Sequence, residues 1–269
     1  MVPKPLDEYA DAYANVRFDR QDGILQVQLH SNGGPLVWED SAHRELPLAL
    51  MDIATDPENE VVILTGTGDS FCATVDHLSW GPDRATSPVR DRIYHEAKIM
   101  LRALLDIHVP VIGAVNGPAR LHAEVPLLSD VVLASDTAVF QDAVHWTTGG
   151  VPGDGVHVLW PMWLGPNRGR QFLYMCQEID AREALSLGLV AEVHPPERLL
   201  DRAWEIAREF LNRPRTTRRY TRVALTLGIR RALEADLNEG LALEFLARAL
   251  TVADGAGPGP TYPYITPAS

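Results

Sequence analysis

Val61-Val62-Ile63-Leu64-Thr65-Gly66-Thr67-Gly68 is the stretch on which the fold turns. Four apolar residues in a row, closed by Gly-Thr-Gly, predict a short strand buried on both faces, because a half-exposed strand would alternate. The pattern returns at residues 109–115, an apolar run ending at Asn116-Gly117-Pro118, and again at residues 131–134. Residues 90–107 carry helical periodicity between the first two runs, and a short helix is expected over 122–128. Strand, crossover helix and strand in succession predict parallel pairing with right-handed crossovers, hence an α/β fold.

On the N-terminal side, two alternating runs at 16–18 and 24–29 flank Asp22-Gly23, which predicts a hairpin with a tight turn. Residues 40–55 have a helical stripe through Ala42, Leu46, Leu50 and Ile53, with Pro47 expected to delay or kink the helix. On the C-terminal side, Val139-Phe140 opens a long loop over 141–154. A short helix over 181–187 is capped by Gly188, and a small strand follows at 189–193. Two amphipathic stretches, 195–211 and 216–250, come next, the second expected to split between Gly228 and Asp236. The Gly/Pro-rich tail, 255–269, is expected to order only against another surface.

The chain has 269 residues, 46% of them apolar and 22% charged, which is enough to bury a sizeable core. Its formal net charge of −12 disfavours nucleic acid and anionic membrane surfaces as partners. Two cysteines, Cys72 and Cys176, are too few for a disulfide framework. With no apolar leader and no apolar run near the roughly 18 residues of a membrane span, a cytoplasmic location is expected.

The common cofactor signatures are missing: no G-x-x-x-x-G-K-[ST], no G-x-G-x-x-G between strand and helix, no H-E-x-x-H and no C-x-x-C. A doubled D-x-V-H, at Asp142–His145 and Asp154–His157, matches no ligand set with a clear rationale in spacing, and no metal is expected. The chemistry-bearing region is the loop after Phe140, where Gln141-Asp142-Ala143-Val144-His145-Trp146 precedes Gly149-Gly150-Val151-Pro152-Gly153-Asp154-Gly155. A Gly-rich turn between His145 and Asp154 could fold the carboxylate onto one ring nitrogen and leave the other to deprotonate water. Spacing alone favours the plainer reading, in which His145 caps the loop and Asp154 satisfies turn amides. Other polar clusters are Arg120-Leu121-His122-Ala123-Glu124 at a helix start and Trp38-Glu39-Asp40-Ser41-Ala42-His43.

Three segments together resemble the crotonase (enoyl-CoA hydratase/isomerase) superfamily. They are Val62-Ile63-Leu64-Thr65-Gly66 with Ser70-Phe71-Cys72-Ala73-Thr74-Val75-Asp76, then Pro110-Val111-Ile112-Gly113-Ala114-Val115-Asn116-Gly117, then Asp180-Ala181-Arg182-Glu183-Ala184-Leu185 with Gly188-Leu189-Val190. The resemblance implies a spiral of ββα units over residues 1–195, a helical trimerisation region over 196–254, and self-association as a trimer or hexamer. It also implies an oxyanion site made by two backbone N–H groups, from Val75 and from His122 or its neighbour. The sequence departs from the hydratase pattern. Leu121-His122-Ala123 replaces the usual glycine triplet, one hydratase glutamate matches Glu124 only with a one-residue deletion, and the other falls at Val144 or His145.

Those departures resemble the β-diketone hydrolase branch, of the 6-oxocamphor hydrolase type. The matching pieces are Leu36-Val37-Trp38, Ala42-His43, His122, Phe140-Gln141-Asp142 with His145, Val151-Pro152-Gly153-Asp154-Gly155, and Glu244. The resemblance implies retro-Claisen cleavage of a cyclic, specifically a bicyclic, 1,3-diketone without CoA or any other cofactor. It makes His145 and Asp154 the water-activating dyad, has His122, Trp38 and His43 contact the carbonyls, and has Glu244 complete the pocket. Trp146, Trp160, Trp163 and Phe245 are candidate walls, each equally placed for the core. Arg213, Arg215, Arg218, Arg219 and Arg222 read as a solvated or subunit-contact helix face rather than a clamp for CoA phosphates. The alternatives are an acyl-CoA hydratase, isomerase or thioester hydrolase, and a non-enzymatic interaction protein of the same fold.

Overall fold

The computed structural model describes residues 3–81 and 86–253; the expected tail at 255–269 lies outside them. The hairpin forms as the turn chemistry requires: β1 (Val16–Gln21) pairs antiparallel with β2 (Ile24–Leu29). Asp22 and Gly23 between them take φ of 51° and 80°, the left-handed pair a two-residue turn needs. The apolar runs give β4 (Val61–Thr65), β6 (Val111–Val115) and β7 (Val131–Ser135). With β10 (Glu192–His194) they build a six-stranded sheet in the order β1-β2-β4-β6-β7-β10, parallel from β2 onward.

A second, smaller layer runs alongside. In it β3 (Leu36–Trp38) pairs parallel with β5 (Cys72–Val75), and β8 (Val139–Phe140) pairs antiparallel with β9 (Ile179–Asp180). Single bridges from Cys72 to Ala119 and from Ala119 to Phe140 stitch the two pairs together. Each pass of the chain therefore lays one strand in the large sheet (the β1–β2 hairpin in the first pass), one segment in the small layer, and then a helix. The helices closing the first three passes are α1 (Asp40–Thr55), α2 (Ser87–Asp106) and α3 (Glu124–Leu127). This is the ββα spiral. Helices α4 (Val156–Leu164), α5 (Pro166–Met175), α6 (Ala181–Ser186), α7 (Pro196–Leu211) and α8 (Arg215–Ala253) complete the molecule.

The all-apolar character of β4 follows from its two buried faces. Val62 and Leu64 join the main core, while Val61 and Ile63 meet Leu199, Ala203 and Ile206 of α7 on the other side of the sheet. At the C-terminal ends of β4 and β6, the Asn116 side chain donates to the carbonyls of Gly68 and Ser70 and accepts from the Gly66 N–H. Gly117 lets these loops touch, since a Cβ there would stand 1.9 Å from the Asp69 carbonyl oxygen. The lock fixes where the segment carrying His122 and Glu124 leaves the sheet.

Four expectations are corrected in whole or in part. Helix α1 starts at Asp40, ahead of Pro47. The small strand forms at Glu192–His194 rather than over 189–193. Helix α8 is continuous for 39 residues instead of splitting. It contains no proline, and its two interior glycines, Gly228 and Gly240, cost only about 1 kcal/mol each. Leu233, Leu237 and Leu241 bury its middle. The arginine run is only in part a solvated face: Arg213, Arg215 and Arg219 are exposed, but Arg218 and Arg222 are buried. Arg222 donates from Nε to the Ile107 carbonyl and from Nη2 to that of Leu104, and pairs with Asp130 at 2.6 Å. The charge thus sits on the last carbonyls of α2, where a cation is favoured. Arg218 pairs with Glu60.

Candidate active site

His145 follows β8 at the start of a single helical turn, Trp146–Thr148, and is buried. Its Nδ1 lies 2.7 Å from Asp142 Oδ1. Its Nε2 faces Asp154 Oδ2 at 3.5 Å and Glu244 Oε2 at 3.9 Å. The Gly-rich turn does fold Asp154 back onto the imidazole, but the short contact that fixes the ring comes from Asp142. The backbone makes this convergence possible where the loop crosses α8. A Cβ on Gly153 would stand 2.2 Å from the Gly240 carbonyl oxygen, and one on Gly240 would stand 2.2 Å from His157 Cε1. Two glycines back to back bring the Asp154 loop and Glu244 to one ring nitrogen. The first D-x-V-H is thus an ion pair, whereas His157 of the second packs at the glycine crossing.

Trp38, His43 and His122 form the other half. Trp38 ends β3, in register with Val75 of β5, and His43 lies in the first turn of α1. The Trp38 and His122 rings stack with centroids 3.9 Å apart, and the His43 ring stands edge-on to Trp38 at 5.7 Å. His122 takes φ of +51°, a conformation that glycine adopts freely and a Cβ resists. Its Nδ1 is 2.7 Å from Glu124 Oε1, and Nδ1 of His43 is 2.7 Å from Glu96 Oε2. Glu96 is gripped by both oxygens from Arg92. The halves meet at His122, Glu124 and Asp154, which each place a ligand-type atom within 4.8 Å of the others. Among the described residues those three side chains form a group that could hold a cation, although the His122–Glu124 contact already occupies part of the donor set.

Burial alone would push the His145 imidazole down, but the charges of Asp142, Asp154 and Glu244 and the Nδ1 hydrogen bond override it and hold its pKa at about 10. His122 is likewise raised: burial opposes its charge, and Glu124 with Asp154 outweighs burial. Burial lifts the Glu244 carboxyl above the usual range, against the pull of His145 and Arg248. The buried carboxylates around it thus favour the charged form of the His145 ring.

Three functional neighbours carried no assigned role in the sequence reading. Asp142 had a signal, its three-residue spacing from His145. Glu124 sat in a polar cluster with its role open. Glu96 had none, because a glutamate in mid-helix reads as a solvated face. Of the candidate walls, Trp160 stacks on Phe172 in the core with Trp163 edge-on to it, Trp146 is half exposed against Tyr174, and Phe245 packs on Tyr94. Trp80, its centroid 6.4 Å from that of His43, stands nearer the site.

The model of the family described as enoyl-CoA hydratase/isomerase matches residues 19–245. The chain belongs to the enoyl-CoA hydratase/isomerase, or crotonase, family. Among relatives of this family, a probable enoyl-CoA hydratase of Mycobacterium bovis is 34% identical over 215 residues, covering 76% of this chain and 74% of its own. A crotonyl-CoA hydratase of Syntrophomonas wolfei is 28% identical, covering 90% and 91%. Among solved structures, a β-diketone hydrolase from the cyanobacterium Anabaena sp., bound to (S)-3-oxocyclohexyl acetic acid, is 47% identical with a TM-score of 0.87, covering 91% of this chain and 98% of that one. An enoyl-CoA hydratase/isomerase from Mycobacterium paratuberculosis shares the fold, with a TM-score of 0.81 at 24% identity. Within the crotonase family the likeness therefore runs to the β-diketone hydrolase branch.

Proposed function

We propose that the protein is a hydrolase that opens a cyclic, bicyclic in our reading, 1,3-diketone by retro-Claisen addition of water, giving a keto acid. The observation that carries this reading is the meeting of His145 Nε2 with Asp154 and Glu244 in a chain 47% identical to a β-diketone hydrolase. A 1,3-diketone breaks when hydroxide adds to one carbonyl and the ring C–C bond gives its electron pair to the other carbonyl as an enolate. The reaction needs a proton acceptor for water, donors for two successive oxyanions, and a proton for the departing carbon.

Each requirement has a candidate. With His145 already charged, the acceptor end of the dyad is Asp154, whose buried Oδ1 has no hydrogen-bond partner among the described residues. Water gives its proton to that carboxylate and its oxygen to the carbonyl carbon. His122, His43, the Trp38 indole N–H and the backbone at Val75 face the oxyanions, and one such donor is typically worth about 3 kcal/mol in the transition state. After C–C cleavage the enolate carbon takes the proton held between His145 and Asp154. Glu244 closes the far side of the imidazole. No cofactor enters this scheme.

A panel of cyclic 1,3-diketones, followed by loss of ultraviolet absorbance with crotonyl-CoA as control, tests the reading. Turnover of a diketone that His145→Ala abolishes supports it. Turnover of crotonyl-CoA alone assigns the chain to the hydratase alternative, for which the named hydratase relatives speak. Stoichiometric bound zinc by elemental analysis would move His122, Glu124 and Asp154 into a metal site. We also propose assembly as a trimer or hexamer, supported by Leu243, Leu246 and Leu250, which stand exposed along one side of α8.

A further inference from the structure

The three histidines of the site share one device. Glu96, Glu124 and Asp142 each put a carboxylate oxygen 2.7 Å from the Nδ1 of His43, His122 and His145. A carboxylate at Nδ1 accepts the N–H there, so the ring is fixed in direction and Nε2 is left to face the site. The pattern is strictest at His145, where ring and carboxylate are both buried. Asp142 comes from the same loop three residues earlier, and its second oxygen has no hydrogen-bond partner among the described residues. Its backbone carbonyl is held independently by the Cys176 thiol, which ties the segment to the end of α5.

We propose that Asp142 is the positioning residue of the dyad: it takes the Nδ1–H of His145 and aims Nε2 between Asp154 and Glu244. This rests on the reading above and assigns the parts within it. Asp142 holds one ring proton throughout the cycle. The Nε2 proton is the one that can move to the enolate carbon, and the proton water leaves on Asp154 restores it. One proton is gained from water and one is given to carbon, so the dyad ends each turnover as it began. Asp154 then works against the Nε2 side of a ring it does not orient.

The groups facing His145 are Asp142 and Asp154 from the loop, Glu244 from α8 with Arg248 behind it, and His122 across the site. Asp142→Asn keeps an acceptor oxygen of the same shape for Nδ1–H and removes only the charge. Asp142→Glu keeps the charge and shifts its place.

The test is nitrogen-detected NMR of the histidine rings in the full chain without substrate, from pH 5 to 10.5, with His145→Gln giving the assignment. In the wild type the His145 ring should stay cationic past pH 8. In Asp142→Asn its midpoint should fall by at least one pH unit, with the fold retained by circular dichroism. On the productive diketone, kcat should fall at least 100-fold with KM within threefold, Asp142→Glu recovering part of the loss. A His145 midpoint unmoved in Asp142→Asn, or a kcat within threefold of wild type, overturns the assignment. If no diketone is turned over, the NMR result still decides the role of Asp142, and the proposed reaction alone fails.

Discussion

At the scale of single residues, His145 couples chemistry to stability. Folding lifts its pKa from 6.5 to about 10, so the native state holds a proton that the unfolded chain releases. The stabilisation this provides is complete below pH 6.5 and disappears as pH rises through about 10. Over that window the unfolding free energy should fall by up to about 1.4 kcal/mol per pH unit for one such proton. His122, raised in the same direction, adds to the slope. Urea midpoints from pH 7 to 10 should therefore decline in the wild type and decline less steeply in His145→Gln; equal slopes would remove His145 as the source. The glycine-rich turn made a meeting of His145 and Asp154 feasible, but it was the family resemblance that singled the pair out. The sequence did not disclose which nitrogen each carboxylate takes, since that depends on ring rotation and on Glu244, about ninety residues later along the chain.

At the scale of elements, the site depends on how closely backbones approach. The crossing of the 151–155 loop over α8 has no room for a side chain at Gly153 or Gly240. Gly153→Ala should force the loop outward, destabilise the fold by about 1–3 kcal/mol as overpacking does, and lower diketone turnover more than tenfold by parting Asp154 from Glu244. Chemical denaturation and kcat/KM measure the two effects, and an unaffected turnover would show that the joint approach of the two carboxylates to His145 is dispensable. Strands β4, β6 and β7 were legible because burial on both faces leaves an unbroken apolar run, and the hairpin because Asp-Gly suits only one kind of turn. The unbroken α8 was not legible. Gly228 and the polar residues after it weaken the local helical signal, while the buried arginines and leucines that hold the helix together act on partners far away in sequence.

At the scale of the whole molecule, the exposed leucines of α8 make a prediction about assembly. Leu246→Glu should turn a trimer or hexamer into free protomers in light scattering after size exclusion, with circular dichroism unchanged. A wild type that elutes as a monomer would refute the assembly. The fold family was legible from the spacing of three motifs, yet the spiral itself rests on the bridges through Ala119, which no local pattern announces.

The left-handed backbone at His122 has a consequence for anyone seeking a hardier protein. His122→Gly would relax a conformation that costs a side-chain-bearing residue roughly 1 kcal/mol. It would also strip the buried Glu124 carboxylate of its 2.7 Å partner and leave a hollow against Trp38, so the melting temperature should fall rather than rise. A screen that rewards heat resistance alone would therefore pass this codon by and leave the strained ring in place.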